Sequence, residues 1–264
     1  QEFSPVRSVA SVQVIGSDSL DVLADTDLLT TGWVGETGAR SDTATPQIKQ
    51  INIPTQEMYC QPKATQKLLD DSNINIEQWL AQKIAEAFAT LEGTAFVSGD
   101  GNSKPRGFLT YAAGTGYGQV EQIVNGHATT LSADSILKLF YGVKEAYAKN
   151  GAFMMKRSTI QTVRLLKEST TNAYLWQPGL ALGQPDTLVG RPVVEATDMP
   201  AIASATLPIA FADWRSFYQI ADRVGIRTLR DPYTDKPFVK FYTTKRVGGG
   251  VVNFEAGKLL LMST

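Results

Sequence analysis

The sequence predicts an α+β fold on three observations. Apolar residues recur at helical spacing over 76–96, a second helical run covers 132–150, and beyond residue 168 the pattern turns to short strand-like runs punctuated by Gly and Pro. Helices gathered ahead of strands that pair antiparallel make the α+β arrangement. With 264 residues, 43% of them hydrophobic, the chain is long and apolar enough for a substantial core, in one large domain or two smaller ones.

From residue 1 to about 29 the chain is rich in Ser, Val and Asp, with brief alternation at Val12 and Val14 and no sustained amphipathic stripe. It reads as an extended arm that needs a surface to lie on. Over 32–62 an aromatic-led run, Trp33-Val34-Gly35-Glu36, precedes a polar tip at 37–46. A return run follows, with Ile51 and Ile53 on one face and Ile48, Gln50 and Asn52 on the other. This is a long hairpin. Two strands are marginal in water, and this pair carries too few large apolar residues for a core of its own, so it docks on another part of the protein or on a neighbouring subunit.

The helix at 76–96 rests on Ile76, Trp79, Leu80, Ile84, Ala87, Phe88, Leu91 and Ala95. Asn75 is placed to cap it, Gln78 stands where a capping box needs it, Ile74 can staple onto Trp79, and Gly99 ends it. The second helix runs from Ser132 as cap, shows Ile136, Phe140, Val143 and Tyr147 on one face, and stops at Gly151 in the left-handed conformation. A short third helix covers about 159–167. Strands are expected at 187–195, 207–211, 217–221, 224–229 and 238–242, with a final pair flanking Gly248-Gly249-Gly250. The sequence holds no internal repeat and no low-complexity tract.

Charge and composition narrow the function classes. Twenty-five basic residues against twenty-six acidic ones leave a formal charge of -1, far from the basic balance of a nucleic-acid reader, so any DNA contact is expected to be loose. No apolar run reaches the roughly 18 to 20 residues that span a bilayer, and no signal-peptide layout opens the chain. A soluble protein made in a cytoplasm is expected. The single cysteine, Cys60, leaves no internal disulfide and fits a reducing compartment. The chain opens on Gln1 instead of methionine, so either it has been trimmed or a longer precursor has been cut, and composition does not choose between the two.

No catalytic, cofactor-binding or metal site is expected, because each candidate has a plainer reading. Gly99-Asp100-Gly101-Asn102-Ser103-Lys104-Pro105-Arg106-Gly107 suggests a phosphate loop, yet it leaves a helix C-terminus, where the dipole is negative, and lacks the Gly-Lys-Ser/Thr ending. A turn is the expectation. Gly248-Gly249-Gly250 likewise reads as a hairpin turn. His127, the only histidine, supports neither a zinc site nor a Ser-His-Asp relay and is expected at the surface. Cys60 reads as a half-buried apolar thiol, and Asp70-Asp71 as favourable charge before a helix N-terminus. Lys156, Arg157, Arg164 and Lys167 form a basic cluster that reads as a solvated helix face before it reads as a phosphate contact.

Five fragments in order resemble the Hong Kong 97 fold major capsid family of tailed double-stranded DNA bacteriophages, which includes gene transfer agent capsids. Trp33-Val34-Gly35-Glu36 is similar to the start of the family's extended loop, and Lys67-Leu68-Leu69-Asp70-Asp71-Ser72 to its approach to the spine helix. The run 85–96 with Gly99-Asp100-Gly101 and Lys104-Pro105-Arg106-Gly107-Phe108 resembles the helix-end signature. Leu188-Val189-Gly190-Arg191-Pro192-Val193, with Met199-Pro200 and Ala212-Asp213-Trp214, resembles the axial-domain strand block. Arg246-Val247 through Val251-Val252-Asn253-Phe254-Glu255-Ala256 resembles the last strand pair.

The resemblance implies an N-terminal arm (1–30), an extended loop (31–62), a peripheral domain (63–117 with 223–264, spine helix at about 76–97) and an axial domain (118–222). It implies a subunit without enzymatic activity or cofactor. That subunit assembles with itself as hexamers and pentamers into an icosahedral shell around double-stranded DNA. Portal and scaffolding or protease partners act during assembly in the bacterial cytoplasm, and no membrane is involved. Arm and hairpin would serve as clasps, with Trp33, Glu36, Arg40, Lys49, Ile51, Ile53 and Tyr59 as candidates for contact between subunits. Some members join an extended-loop lysine to a neighbour's asparagine beside a glutamate. Lys49, Asn253 and Glu255 are the matching residue types, but Asn253 and Glu255 stand only two apart and Lys49 lacks a motif, so non-covalent clasping is expected. Two rivals are an encapsulin-type nanocompartment shell, which shares the fold, and a nucleotide-dependent enzyme using the 99–107 loop.

Overall fold

In the computed structural model, which describes residues 4–25, 31, 33–34, 42, 48–71, 75–167 and 187–264, the N-terminal side opens with α1 (Pro5–Val9), β1 (Ser11–Val14), β2 (Ser19–Asp25), β3 (Ile48–Pro54), β4 (Gln56–Cys60) and β5 (Lys63–Thr65). Helices α2 (Gln66–Asp71) and α3 (Ile76–Ser98) follow, then a 3-10 turn (Phe108–Thr110), β6 (Ala112–Ala113) and β7 (Gln119–Val124). The next elements are α4 (Ala133–Gly142), α5 (Glu145–Ala148), β8 (Ala152–Met155) and α6 (Arg157–Arg164). The chain closes with β9 (Thr187–Leu188), β10 (Arg191–Glu195), β11 (Ile209–Ala212), α7 (Trp214–Phe217), β12 (Tyr218–Asp231), β13 (Phe238–Val251) and β14 (Gly257–Leu261).

Helix α3 forms where its spacing predicts. The Asn75 side chain accepts a hydrogen bond from the Gln78 amide at 3.0 Å, satisfying one free donor of the first turn; Ile74 lies outside the described residues. Ile84, Phe88, Ala95 and Phe96 are buried, but Trp79, Ala87 and Leu91 are exposed. The buried face therefore follows 84, 88, 92 and 96, and takes in Glu92, which the expected stripe leaves out. A salt-bridge network, described below, holds that carboxylate inside.

Two sheets carry the rest. One runs β1-β12-β13-β4, with β5 also on β13; the other runs β6-β7-β14-β11-β8-β10-β9. The α+β class holds, though the second sheet is mixed: β14 pairs parallel with β7, and β10 parallel with β8. The main core contains Val6, Phe96, Phe108, Trp214, Phe217, Tyr218, Val251 and Leu259, drawn from both sheets, α1, α3 and α7. Phe108 makes edge contacts with Trp214, Phe217 and Tyr218 at 5.0 to 6.4 Å between centroids. A second cluster packs α4 and α6 on the far half of the larger sheet, through Ile136, Leu139, Ile160 and Val163 against Phe153, Phe211 and Leu260.

The N-terminal segment finds the surface it needs on its own chain, with α1 at its start and extended strands in β1 and β2. Residues 4–25 fold on their own chain. Pro5 starts α1, Val6 and Ala10 enter the main core, β1 pairs parallel with β12, and the Ile15 amide donates to the Asp222 carbonyl at 2.8 Å. The apolar residues are few, but each lands on a preformed surface, and the backbone pairing supplies what side chains do not. The hairpin's partner differs. β3 pairs with β2, Ser19 opposite Pro54 through Asp25 opposite Ile48. The expected phase is right, since Ile53 is buried and Ile51 half-buried while Ile48, Gln50 and Asn52 are exposed. Trp33 and Val34 lie outside any strand.

Four further expectations change. The run 132–150 breaks after Gly142, and α5 restarts at Glu145, where Tyr147 is tied by its hydroxyl to Asn253. Gly142 is the weak helix former that yields. Gly151 is not left-handed; a Cβ there would sit 2.4 Å from the Phe211 ring, so its small size is what the site needs. Residues 257–261, expected with the spine helix, lie between β7 and β11 in the larger sheet because Leu259 and Leu260 are both fully buried there. Gly248-Gly249-Gly250 is not a turn: it lies within β13, paired with Ala221, Ile220 and Gln219 of β12. A Cβ on Gly248 would meet the Pro54 carbonyl at 2.6 Å, and one on Gly249 the Tyr218 hydroxyl at 2.5 Å and Phe96 at 3.1 Å. These glycines let the hairpin base and the aromatic core approach the strand from its two faces. Gly249→Ala is expected to lower stability by about 1–3 kcal/mol through overpacking, read as a lower denaturation midpoint of the purified chain; an unchanged midpoint would refute that packing role.

Candidate functional site

The motifs that suggested chemistry make the following contacts. The 99–107 loop closes on itself, with the Gly107 amide donating to the Gly99 carbonyl at 2.8 Å and Asp100 bridged to Arg106. Asp100 accepts from the Asn102 amide at 3.0 Å and faces Lys104 at 3.4 Å. That backbone hydrogen bond, with the lysine, holds the carboxyl below its usual range. A Cβ on Gly99 would strike the Pro105 carbonyl and one on Gly107 the backbone of Val97, so these glycines seat the loop against the end of α3. His127 is exposed, in a loop built by Asn125, whose side chain donates to the carbonyls of His127 and Thr130 and accepts from the Ser132 amide and the Ser135 hydroxyl. Cys60 is half-buried and free. No group of three or more His, Cys, Asp or Glu residues that could hold a metal occurs among the described residues. Arg157 is exposed and reaches Glu195 at 3.8 Å, as on a solvated face.

What the surface presents is unpartnered apolar area. Trp33 is fully exposed and Tyr59 is 70% exposed. The register puts Tyr59 opposite Thr244, and Leu229 opposite Tyr242 two positions along β13. Tyr59, Tyr242 and Leu229 thus stand on one open sheet face, spread over three strands, and all three are exposed. Behind β4, a groove of about 390 Å³ runs along the C-terminal half of α3, floored by Met58, Ala95, Pro105 and Val247 with exposed Leu91 at its wall.

The structure separates the expected contact residues. Ile53, 2% exposed, packs with Ile15 and Ala221, and Ile51 packs against the same cluster, so Ile53 is a core residue of its own chain and is not free to meet a neighbour. Lys49 is exposed, with its ammonium 4.7 Å from the Tyr117 ring centroid. Glu36 and Arg40 lie outside the described residues. Asn253 donates to the Tyr147 hydroxyl at 2.9 Å, and Glu255 pairs with Lys144. Both are engaged within their own chain.

One constellation escaped the sequence reading. Glu92, 2% exposed, accepts from Arg7 Nη2 at 2.8 Å and Nε at 3.0 Å, and pairs with Lys245 as well. Arg7 also donates to both carboxylate oxygens of Asp222, at 2.6 and 3.0 Å. Burial works against the Arg7 charge, but the hydrogen bond to Asp222 and the charges of Glu92 and Asp222 outweigh it and raise its pKa. Two cations and two carboxylates thereby join α1, α3, β12 and β13.

The family model described as Phage capsid family matches residues 1–261. Two structures of the capsid of a GTA particle, one native and one empty, each computed with C5 symmetry, are 42% identical to the chain. They cover 100% of it and 91% of their own chains, with TM-scores of 0.94 and 0.92. A structure from Microbacterium phage Oxtober96 has a TM-score of 0.71 at 12% identity, over 98% of this chain and 91% of that one, a likeness of fold. The major capsid protein of Escherichia phage T5 is 23% identical over 245 residues, 88% of this chain, and the chain spans 52% of that protein's length.

Removing one partner from the buried network leaves an uncompensated charge. Glu92→Ala is expected to cost about 3–5 kcal/mol, measured by chemical denaturation. Loss of α1 protection from hydrogen exchange is expected to accompany it, whereas protection retained at 4–15 would show that Arg7 does not anchor this segment.

Proposed function

Because the chain belongs to the phage capsid family, we propose that it works by self-assembly, as the major capsid subunit of an icosahedral shell built from hexamers and pentamers. The observation that carries this reading is the match, over the whole chain and at 42% identity, to subunits of a GTA particle capsid. The exposed Trp33 and the open face bearing Tyr59, Tyr242 and Leu229 support it, since apolar area left over after folding is what an association between copies would cover.

In this reading the smaller sheet with α3 is the peripheral domain, the larger sheet, β14 included, is the axial domain, and β2 with β3 forms the stem of the extended loop. Trp33, Lys49 and Tyr59 are the contact residues, together with Glu36 and Arg40. The shell encloses double-stranded DNA. A formal charge of -1 suits a wall that touches the packaged polymer weakly, because many phosphate contacts would make retention strong and release slow. Portal and scaffolding or protease partners take part during assembly in the bacterial cytoplasm. The subunit has no catalytic activity of its own.

Electron microscopy of the purified full chain tests the proposal, with closed shells expected. Trp33→Ala with Tyr59→Ala is expected to leave the circular dichroism spectrum unchanged while reducing closed shells at least severalfold. A wild-type chain that stays monomeric under all assembly conditions, or a double variant that closes normally, would overturn it. Nucleotides are expected to leave the melting temperature unchanged; a rise of several degrees would favour the enzyme reading.

A further inference from the structure

We propose that Tyr117 is a positioning residue that clips the stem of the β2–β3 hairpin to the body of the subunit and so sets the direction in which the hairpin points. This rests on the shell reading for its consequence, but not for its physical basis.

A ribbon attached at one point pivots; attached at two, it has a direction. The first attachment is Ile53, buried against Ile15 and Ala221, with Thr55 closing the stem through its amide and hydroxyl on the Asp18 carbonyl at 2.9 and 2.8 Å. Further out, packing gives little guidance, because a hollow of about 290 Å³ lies between β3 and the 101–106 loop. Tyr117 spans that gap. Its hydroxyl donates to the Gln50 carbonyl at 3.4 Å, and the Lys49 ammonium sits over its ring at 4.7 Å.

The clip is itself anchored. Tyr117 sits in the turn between β6 and β7, where the Gln119 amide donates to the Gly116 carbonyl at 3.1 Å and Gly118 takes a φ of 81°. Its ring meets Phe254 edge-on at 5.6 Å, and Phe254 meets Tyr111 at the same distance. Tyr111 is buried, accepts from the Val251 amide at 3.0 Å, and carries the Arg106 guanidinium 4.0 Å from its ring centroid. A row of three rings therefore runs from the core to the hairpin. Leverage makes the angle matter: Ile48 lies five residues beyond Ile53, about 17 Å along the strand, so a tilt of about 10° displaces it by about 3 Å. A shift of that size is larger than a side-chain hydrogen bond between subunits tolerates.

The test compares Tyr117→Ala, Tyr117→Phe and Lys49→Met in the full chain. Held below its assembly concentration, Tyr117→Ala is expected to raise amide exchange at 48–52 about tenfold while α3 keeps its protection. Tyr117→Phe, which keeps the ring, and Lys49→Met are each expected to show a smaller rise. On assembly, Tyr117→Ala is expected to broaden the distribution of shell diameters, and Tyr117→Phe to restore most of the uniformity. Unchanged exchange at 48–52 in both Tyr117→Ala and Lys49→Met overturns the clip. Raised exchange with uniform shells overturns its role in assembly. Should Tyr117→Ala fail to fold, wild-type exchange in both Tyr117→Phe and Lys49→Met would overturn the clip by itself. If the wild type forms no shells, the shell reading fails while exchange still decides whether Tyr117 holds the hairpin.

Discussion

The Glu92 carboxylate, buried on the face of α3 that packs into the subunit, is the constraint around which the fold is arranged. A carboxylate in that position is tolerable only if cations reach it, and they come from residues 7 and 245, near opposite ends of the chain. Arg7 must reach across to Asp222 as well, which fixes α1 over α3 and brings β1 into register beside β12. Hydrophobic contacts at Val6 and Ala10 would tolerate a shift of one residue; the two-pronged guanidinium contact would not. The network is better understood as specifying one arrangement of the N-terminal segment than as a large net source of stability, since desolvating four charged groups offsets much of their attraction.

This dependence explains which parts of the fold were legible in the sequence. Helix α3 could be read because its cap and apolar spacing are local, and the phase of β3 because alternate residues declare which face is dry. The strand segments at 209–212 and 238–242 announce themselves by β-branched and aromatic content. The N-terminal segment could not be read. Its apolar residues, Val6, Ala10 and Ile15, are too sparse to form a stripe, and what orders them is a pairing with β12 across more than two hundred residues of sequence. Glu92 was invisible for the same reason: inside a helix an acidic residue looks like a solvated one until its distant cations are placed.

The glycine run at 248–250 shows a different limit. Three consecutive glycines satisfy every local criterion for a turn, yet the residues are extended and hydrogen-bonded in the middle of a sheet. Their meaning lies in what approaches them, Pro54 and Ile53 from the hairpin stem and Phe96 and Tyr218 from the core. No one-dimensional pattern carries that information. Ile53 shows the same limit: its apolar character on a hairpin suggests contact with a neighbour, and that same character buries it beneath the hairpin's own base.

Taken together, these features revise how the subunit would enter a shell. A chain whose first residues fold only against neighbours must meet the entropy of ordering them at each association, roughly 1–2 kcal/mol per residue for the backbone. Here the segment 4–25 is already folded on its own chain, so that cost falls on subunit folding and leaves association free of it. Among the described residues, the exposed apolar surface includes a tryptophan beyond the stem and an open sheet face with two tyrosines and a leucine. Preorganisation of this kind favours docking of rigid parts, and rigid docking makes the direction of the hairpin decisive.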